Sequence, residues 1–224
     1  MPDKDVGQPL GIFGGTFDPL HYGHLRLAEE AADALNLARV RWIPAGQPAH
    51  NKSPKVSAAE RLEMVRLAIA GNPRFELDAA EVEAAQPSYT VPTLERLRQA
   101  RVCGRQRPLV LLVGADAFAG MAGWYRWERL IELAHIAVAH RPGYAVDTSG
   151  LPPALAGLYQ ERFCADPKGL ADAPAGRITS FAMTPLDISA TRIRTLLSKG
   201  QSARYLLPEV LVEHIRTHHF YSEI

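Results

Sequence analysis

Eleven contiguous residues, Gly14-Gly15-Thr16-Phe17-Asp18-Pro19-Leu20-His21-Tyr22-Gly23-His24, carry the residue types needed to hold phosphate. They follow an apolar stretch (Leu10, Ile12, Phe13) and lead into an Ala- and Leu-rich helical stretch that begins at Tyr22. A strand, a glycine turn and a helix start together make an anion site. Glycine lets backbone N–H groups come close, and a helix N-terminus presents unpaired donors at a positive dipole end. The spacing His21-x-Gly23-His24 puts both imidazoles on one side of the first turn. Gly23 keeps a side chain from blocking whatever they face. No Gly-x-x-x-x-Gly-Lys-Ser/Thr run occurs, and Gly11, Gly14 and Gly15 do not fit Gly-x-Gly-x-x-Gly. The turn is therefore neither a P-loop nor a dinucleotide fingerprint.

A second run, Ile188-Ser189-Ala190-Thr191-Arg192-Ile193-Arg194, has the same chemical character. Ser189 is placed as an N-cap, Ile193, Leu196 and Leu197 supply a buried face, and Gly200 stops the helix. Arg194 follows Thr191 by three residues, so hydroxyl and guanidinium can face one anion. Alone, such a run reads rather as a capped surface helix with solvated arginines. Two anion-ready helix starts in one chain suit a polyphosphate better than a single phosphate.

The elements that must position these runs follow from hydrophobic patterning. Short apolar segments at 10–13, 40–43, 75–77, 109–113, 136–139 and 178–182 alternate with helical stretches at 22–35, 57–70, 91–101, 124–133, 154–163 and 189–198. That alternation predicts an α/β fold with a parallel, doubly wound sheet, whose ligands bind beyond the carboxyl ends of the strands. Residues 1–9 read as a loose polar leader without a basic-then-apolar signal, 164–176 as a surface loop, and 10–224 as one domain with a helical C-terminal part from about 188. At 224 residues and 47% hydrophobic the chain can bury a sizeable core. A net charge of +1 gives no reason to invoke nucleic acid or an anionic membrane. The two cysteines, Cys103 and Cys164, lack metal-ligand spacing, so neither a disulfide framework nor a zinc site is expected. A cytoplasmic protein, monomeric or a small homo-oligomer, is the expectation.

Taken together, Gly-Gly-Thr-Phe-Asp-Pro-x-His-x-Gly-His and Ile-Ser-x-Thr-x-Ile-Arg resemble the nucleotidylyltransferases, and specifically the bacterial nicotinate-nucleotide adenylyltransferases. The resemblance runs from about Leu10 to the last helix. It includes Pro44 through Lys52, Arg61-Leu62-Glu63-Met64, Pro87-Ser88-Tyr89-Thr90, Gly114-Ala115-Asp116 followed by Trp124, and Arg141-Pro142-Gly143. Two departures stand out. Pro92 occupies a position where the family usually has Asp, and Asn51 separates His50 from Lys52 where relatives place a basic residue directly after the His.

The resemblance implies a Rossmann-like fold and adenylyl transfer from ATP to nicotinate mononucleotide, giving nicotinate adenine dinucleotide and pyrophosphate. The alternative is another phosphorylated acceptor, nicotinamide mononucleotide or phosphopantetheine. It implies that His21, His24 and Arg194 are catalytic, with ATP held by Gly14, Gly15, Thr16, Phe17, Gly23, Lys52, Ile188, Ser189 and Thr191. The mononucleotide would meet His50, Ser88, Tyr89, Thr90, Gly114, Asp116, Trp124, Tyr125 and Arg141. Trp124 is the choice for stacking on the pyridine ring, whereas Trp127, at helical spacing with Leu130, Ile131 and Ala134, reads as core. Asp116 orders a loop or contacts ribose, and Arg141 is structural or contacts the mononucleotide. Arg61 reads as a solvated or loop-anchoring arginine. Mg²⁺ is expected to travel with the ATP phosphates, with Asp18 the nearest acidic candidate and a turn residue as its other reading. The substrate phosphate is already a nucleophile, so no activated Ser or Cys is needed.

Overall fold

The computed structural model describes residues 7–49, 53–84, 86–100, 106–143 and 146–222. Its strands are β1 (Leu10–Gly15), β2 (Arg39–Pro44), the short β3 (Gln47–Pro48), β4 (Phe75–Leu77), the short β5 (Pro87–Ser88), β6 (Leu109–Gly114), β7 (His135–His140) and β8 (Ile178–Ala182). The helices are α1 (Tyr22–Ala34), α2 (Ala58–Ile69), α3 (Ala80–Glu83), α4 (Thr90–Gln99), α5 (Ala115–Ala119), α6 (Leu130–Leu133), α7 (Pro153–Arg162), α8 (Ala190–Ser198) and α9 (Glu209–Thr217). Six strands form one all-parallel sheet in the order β4-β2-β1-β6-β7-β8, and β3 pairs with β5 apart from it. Strand order reverses between β1 and β6. A crevice opens at such a reversal, beyond the carboxyl ends of the strands.

Side-chain alternation along the strands divides the core into two layers. Phe13, Trp42, Val110, Leu112 and Ala137 face α1, α2, α8 and α9, where Ala28, Ala31, Met64, Ile193, Leu211 and Ile215 meet them. Leu10, Ile12, Leu109, Leu111, Val113 and Val138 face α4 to α7 through Leu94, Leu97, Phe118, Leu130 and Leu155. A fully buried aliphatic side chain contributes about 2 kcal/mol. Sheet contacts of this kind hold helices as short as α5 and α6, which are too short to persist by themselves.

The structure departs from the sequence expectations in three places. The helix expected over 124–133 is a single α-turn, α6, preceded by 3-10 turns at Met121–Gly123 and Trp127–Arg129. Trp124 is extended and Arg126 is left-handed with φ 52°. Glycines at 120 and 123 and a bulky Trp-Tyr-Arg-Trp run disfavour helix there. Trp124 and Trp127 both fold onto the same apolar layer from the irregular segment, so Trp127 is half-buried at its edge. The expected loop 164–176 contains a 3-10 helix, Pro167–Asp172, capped by Asp166 and pinned by buried Leu170. Gln8 and Pro9, read as leader, are tied in: Arg107 Nε donates to the Gln8 carbonyl and the Ala38 N–H to that of Pro9. Among the described residues no helix is long and apolar enough to cross a membrane.

Candidate active site at the β1–α1 turn

His21 is the N-cap of α1, with extended backbone, and His24 lies in its first turn. Their rings stack with centroids 3.8 Å apart and planes 28° apart. The His21 backbone N–H donates to His24 Nδ1 at 3.3 Å. With Nδ1 accepting, the His24 proton sits on Nε2, where it can be donated outward. His21 Nδ1 is buried without a partner. Burial pushes His21 down to about 4, and burial together with the His21 charge holds half-buried His24 well below the usual histidine range. Both imidazoles are therefore neutral at pH 7. Phe17, left-handed at φ 50°, sets its ring against His24 at 5.2 Å and packs on Phe13 and Trp42. The first turn of α1 offers fewer free main-chain donors than its sequence suggests. Tyr22 N–H donates to the Leu206 carbonyl, and His24 and Leu25 N–H both donate to the His21 carbonyl.

The start of α8 lies beside that of α1. A Cβ placed on Gly23 would lie 3.8 Å from the Ile188 carbonyl oxygen, so the two motifs, 165 positions apart in sequence, abut. Ser189 caps α8 by accepting from Arg192 N–H at 3.2 Å. Arg194 donates through Nη1 to the Asp18 carbonyl at 2.6 Å and through Nη2 to Thr191 Oγ1 at 3.2 Å. Thr191 and Arg194 thus form the cluster that their spacing predicts.

Asp18, the acidic candidate for a metal, makes contacts within the protein. Its carboxylate is buried and accepts from Lys55 N–H at 2.8 Å and from the Tyr221 hydroxyl at 2.7 Å. The acid closes the turn onto two distant segments. Among the described residues no group of three or more His, Cys, Asp or Glu is arranged to hold a metal.

A cavity of about 340 Å³ opens beside this turn, at the carboxyl ends of β1, β2 and β6. Gly14, Gly15, Thr16 and Gly114 form strand-end parts of its wall, and Ser88, Tyr89, Thr90, Trp124 and Tyr125 line it from the helical layer. The rings of Tyr89 and Tyr125 lie 4.8 Å apart. Ser88 uses its hydroxyl oxygen on the protein, accepting from Gly46 N–H at 2.9 Å and Gln47 N–H at 3.3 Å. Asp116, in the first turn of α5, and Arg141, just past β7, are exposed and are not among the lining residues. His50 and Lys52 lie outside the described residues.

Two further residues matter that the sequence did not assign to the site, Arg61, which stands in a motif, and Glu81, which stands in none. Arg61 is not solvated: it is 1% exposed and donates to the carbonyls of Thr16 (2.8 Å), Ala45 (2.6 Å) and Gly46 (2.9 Å). This is the loop-anchoring reading, fastening the β1–α1 turn to the residues just past β2. Glu81, on α3, lines the cavity and carries a carboxyl raised by burial. It sits in an Ala-rich stretch with no sequence signal.

Comparison with known proteins agrees with this arrangement. The cytidylyltransferase-like family profile matches residues 12–196. The chain is 60% identical over 216 residues to a protein of Dechloromonas aromatica named "Probable nicotinate-nucleotide adenylyltransferase", covering 96% of this chain and 99% of that one. A Pseudomonas aeruginosa protein of the same name is 44% identical over 217 residues, covering 96% and 98%. In fold, the chain is similar to the Plasmodium falciparum nicotinic acid mononucleotide adenylyltransferase complexed with NaAD, at a TM-score of 0.70 and 13% identity over 96% of this chain and 97% of that one. The Gly-Gly-Thr and His-x-Gly-His turn, the abutting second helix start and these full-length likenesses agree: the chain belongs to the cytidylyltransferase-like family and, within it, to the nicotinate-nucleotide adenylyltransferases.

Proposed function

We propose that this protein transfers the adenylyl group of ATP to nicotinate mononucleotide, forming nicotinate adenine dinucleotide and releasing pyrophosphate. The observation that carries the reading is the meeting of the α1 and α8 starts, next to a glycine turn whose Gly14, Gly15 and Thr16 line a cavity of about 340 Å³. An oxygen of the acceptor's 5′-phosphate bonds to the α-phosphorus as the bond from that phosphorus to the β-bridging oxygen breaks. Pyrophosphate carries away the electron pair, and no side chain is alkylated or acylated. Two anions must be aligned and the growing charge met by fixed donors, which is positioning and electrostatic catalysis.

We assign His24 Nε2 and the His21 ring to the α-phosphoryl group, with the Gly14–Thr16 backbone beside them. Ser189, Thr191 and Arg194 hold the departing β and γ phosphates. Tyr89, Thr90, Trp124 and Tyr125 receive the pyridine end, with Trp124 offering a ring face. Ser88 shapes that wall rather than touching substrate, because its oxygen already accepts two N–H groups. Magnesium would arrive with the ATP phosphates, with the Asp18 carboxylate, held by Lys55 N–H and the Tyr221 hydroxyl, as the nearest acidic group of the turn. We infer a cytoplasmic reaction, supported by substrates that are multiply charged and do not cross a bilayer unaided.

The test is pyrophosphate release with ATP and each of three acceptors: nicotinate mononucleotide, nicotinamide mononucleotide and phosphopantetheine. The highest kcat/KM is expected with nicotinate mononucleotide. Turnover with phosphopantetheine alone overturns the assignment.

A further inference from the structure

Glu81 occupies a position that none of the roles above uses. It lies on the one-turn helix α3, at the wall between the main cavity and a second one of about 180 Å³ lined by Pro92, Thr93 and Arg96. Its carboxyl is the end point of a hydrogen-bond chain. Gly46 and Gln47 donate their N–H groups to Ser88 Oγ. Ser88 then has one proton left, and its hydroxyl acts to lower the Glu81 carboxyl against the rise that burial causes. From the other side, the hydroxyl of buried Thr93 donates to Glu81 Oε1. The main chain meets there as well: a Cβ on Gly46 would fall 2.0 Å from the Glu81 carbonyl oxygen, so only glycine lets the 45–48 segment lie against α3.

We propose that Glu81 is a positioning residue for the acceptor half of the site, fixing the two cavity segments 45–48 and 88–93 against each other through Ser88 and Thr93. Those segments carry Ala45, Pro48, Tyr89 and Thr90 of the cavity wall, whereas the β1–α1 turn has its own ties at Asp18, to Lys55, Tyr221 and Arg194, and shares Arg61 with the 45–48 segment. Loss of the carboxyl should therefore loosen the mononucleotide side and spare the triphosphate side. Small displacements at a substrate-positioning wall cost about 10²-fold at the upper end.

The inference rests on nicotinate mononucleotide being the acceptor, and the experiment separates the two. Turnover of the unaltered enzyme with that acceptor is measured first, and its absence refutes the acceptor assignment and this role with it, before any variant is compared. Glu81→Ala is then expected to raise KM for the mononucleotide about tenfold or more while KM for ATP moves less than about twofold. Glu81→Gln, whose amide oxygen still accepts one hydroxyl, falls between. Thr93→Val, which removes one donor and keeps the shape, shows the same split at smaller size and serves should Glu81→Ala fail to fold. Ser88→Ala adds little in the Glu81→Ala background, because both cut one chain. An unchanged mononucleotide KM, an equal rise in both KM values, or additive effects of Ser88→Ala and Glu81→Ala would overturn the proposal.

Discussion

Stacked imidazoles at van der Waals distance disfavour a second charge, and burial keeps His21 and His24 neutral. A neutral N–H donor aimed at the phosphoryl group strengthens as charge builds there, which favours the transition state over the ground state. His24→Ala should lower kcat by about 10²-fold with a smaller change in KM for ATP, measured by pyrophosphate release. Near-normal turnover removes His24 from the chemistry. The same burial has a consequence for stability. An unfolded histidine takes up its proton near 6.5, the folded His21 only near 4. The unfolded chain thus binds more protons in that window. Stability is full above 6.5, falls as pH drops toward 4 and levels off below it. The His21 share of that fall is about 3 kcal/mol. Urea unfolding of the wild type and of His21→Ala across this range checks it: the variant should lose less stability on acidification. Equal slopes would place the protons elsewhere.

Elements hold these residues through contacts that are distant in sequence. The capping box Ser57/Glu60 fixes the start of α2, which delivers Arg61 to three carbonyls on two turns. Removing it leaves those acceptors unpaired in a closed interior. Arg61→Met, similar in length, is expected to destabilise by about 3 kcal/mol or more in urea unfolding. Arg61→Lys should recover little, because a single ammonium cannot reproduce the forked geometry. A loss below about 1 kcal/mol in Arg61→Met would mean that water replaces the guanidinium there. The same residue marks the boundary of what was legible in the chain. The His-x-Gly-His turn, the Ser189 cap and the six-strand parallel sheet could be read because each is a contiguous pattern whose chemistry is local. Arg61 stood in a motif, yet its burial depends on carbonyls up to 45 residues away. Glu81 stood in none, and its meaning comes only from Ser88 and Thr93. Trp124 lines the cavity as expected from its type, although the helix drawn around it dissolves into turns, because periodicity does not register a chain that turns left-handed at Arg126.

At the scale of the whole molecule the chain closes on itself at Asp18. After α9 packs against the α1–α2 layer, Tyr221 reaches back to Asp18, 203 residues away, and its hydroxyl donates to Oδ1 at 2.7 Å. Lys55 N–H takes Oδ2, and the Asp18 carbonyl receives Arg194, so one turn joins β1, the segment before α2, α8 and the residues beyond α9. Burial and the neighbouring carboxylate push the Tyr221 hydroxyl well above its ordinary range, which keeps it a donor at every physiological pH. Tyr221→Phe retains the ring and removes only that donor from a carboxylate 6% exposed to solvent. A lost hydrogen bond to a charged group costs about 2 kcal/mol, and that is the expected destabilisation in urea. Because Asp18 also seats Arg194, KM for ATP should rise in this variant while KM for the mononucleotide stays near its wild-type value, the reverse of the split expected at Glu81. The two sides of the reaction would then be set by two networks that meet at Arg61, one tied to Asp18 by Tyr221 and one held by α3. If Tyr221→Phe leaves both stability and KM for ATP unchanged, Lys55 and Arg194 hold the turn without it, and the closure from the end of the chain is packing alone.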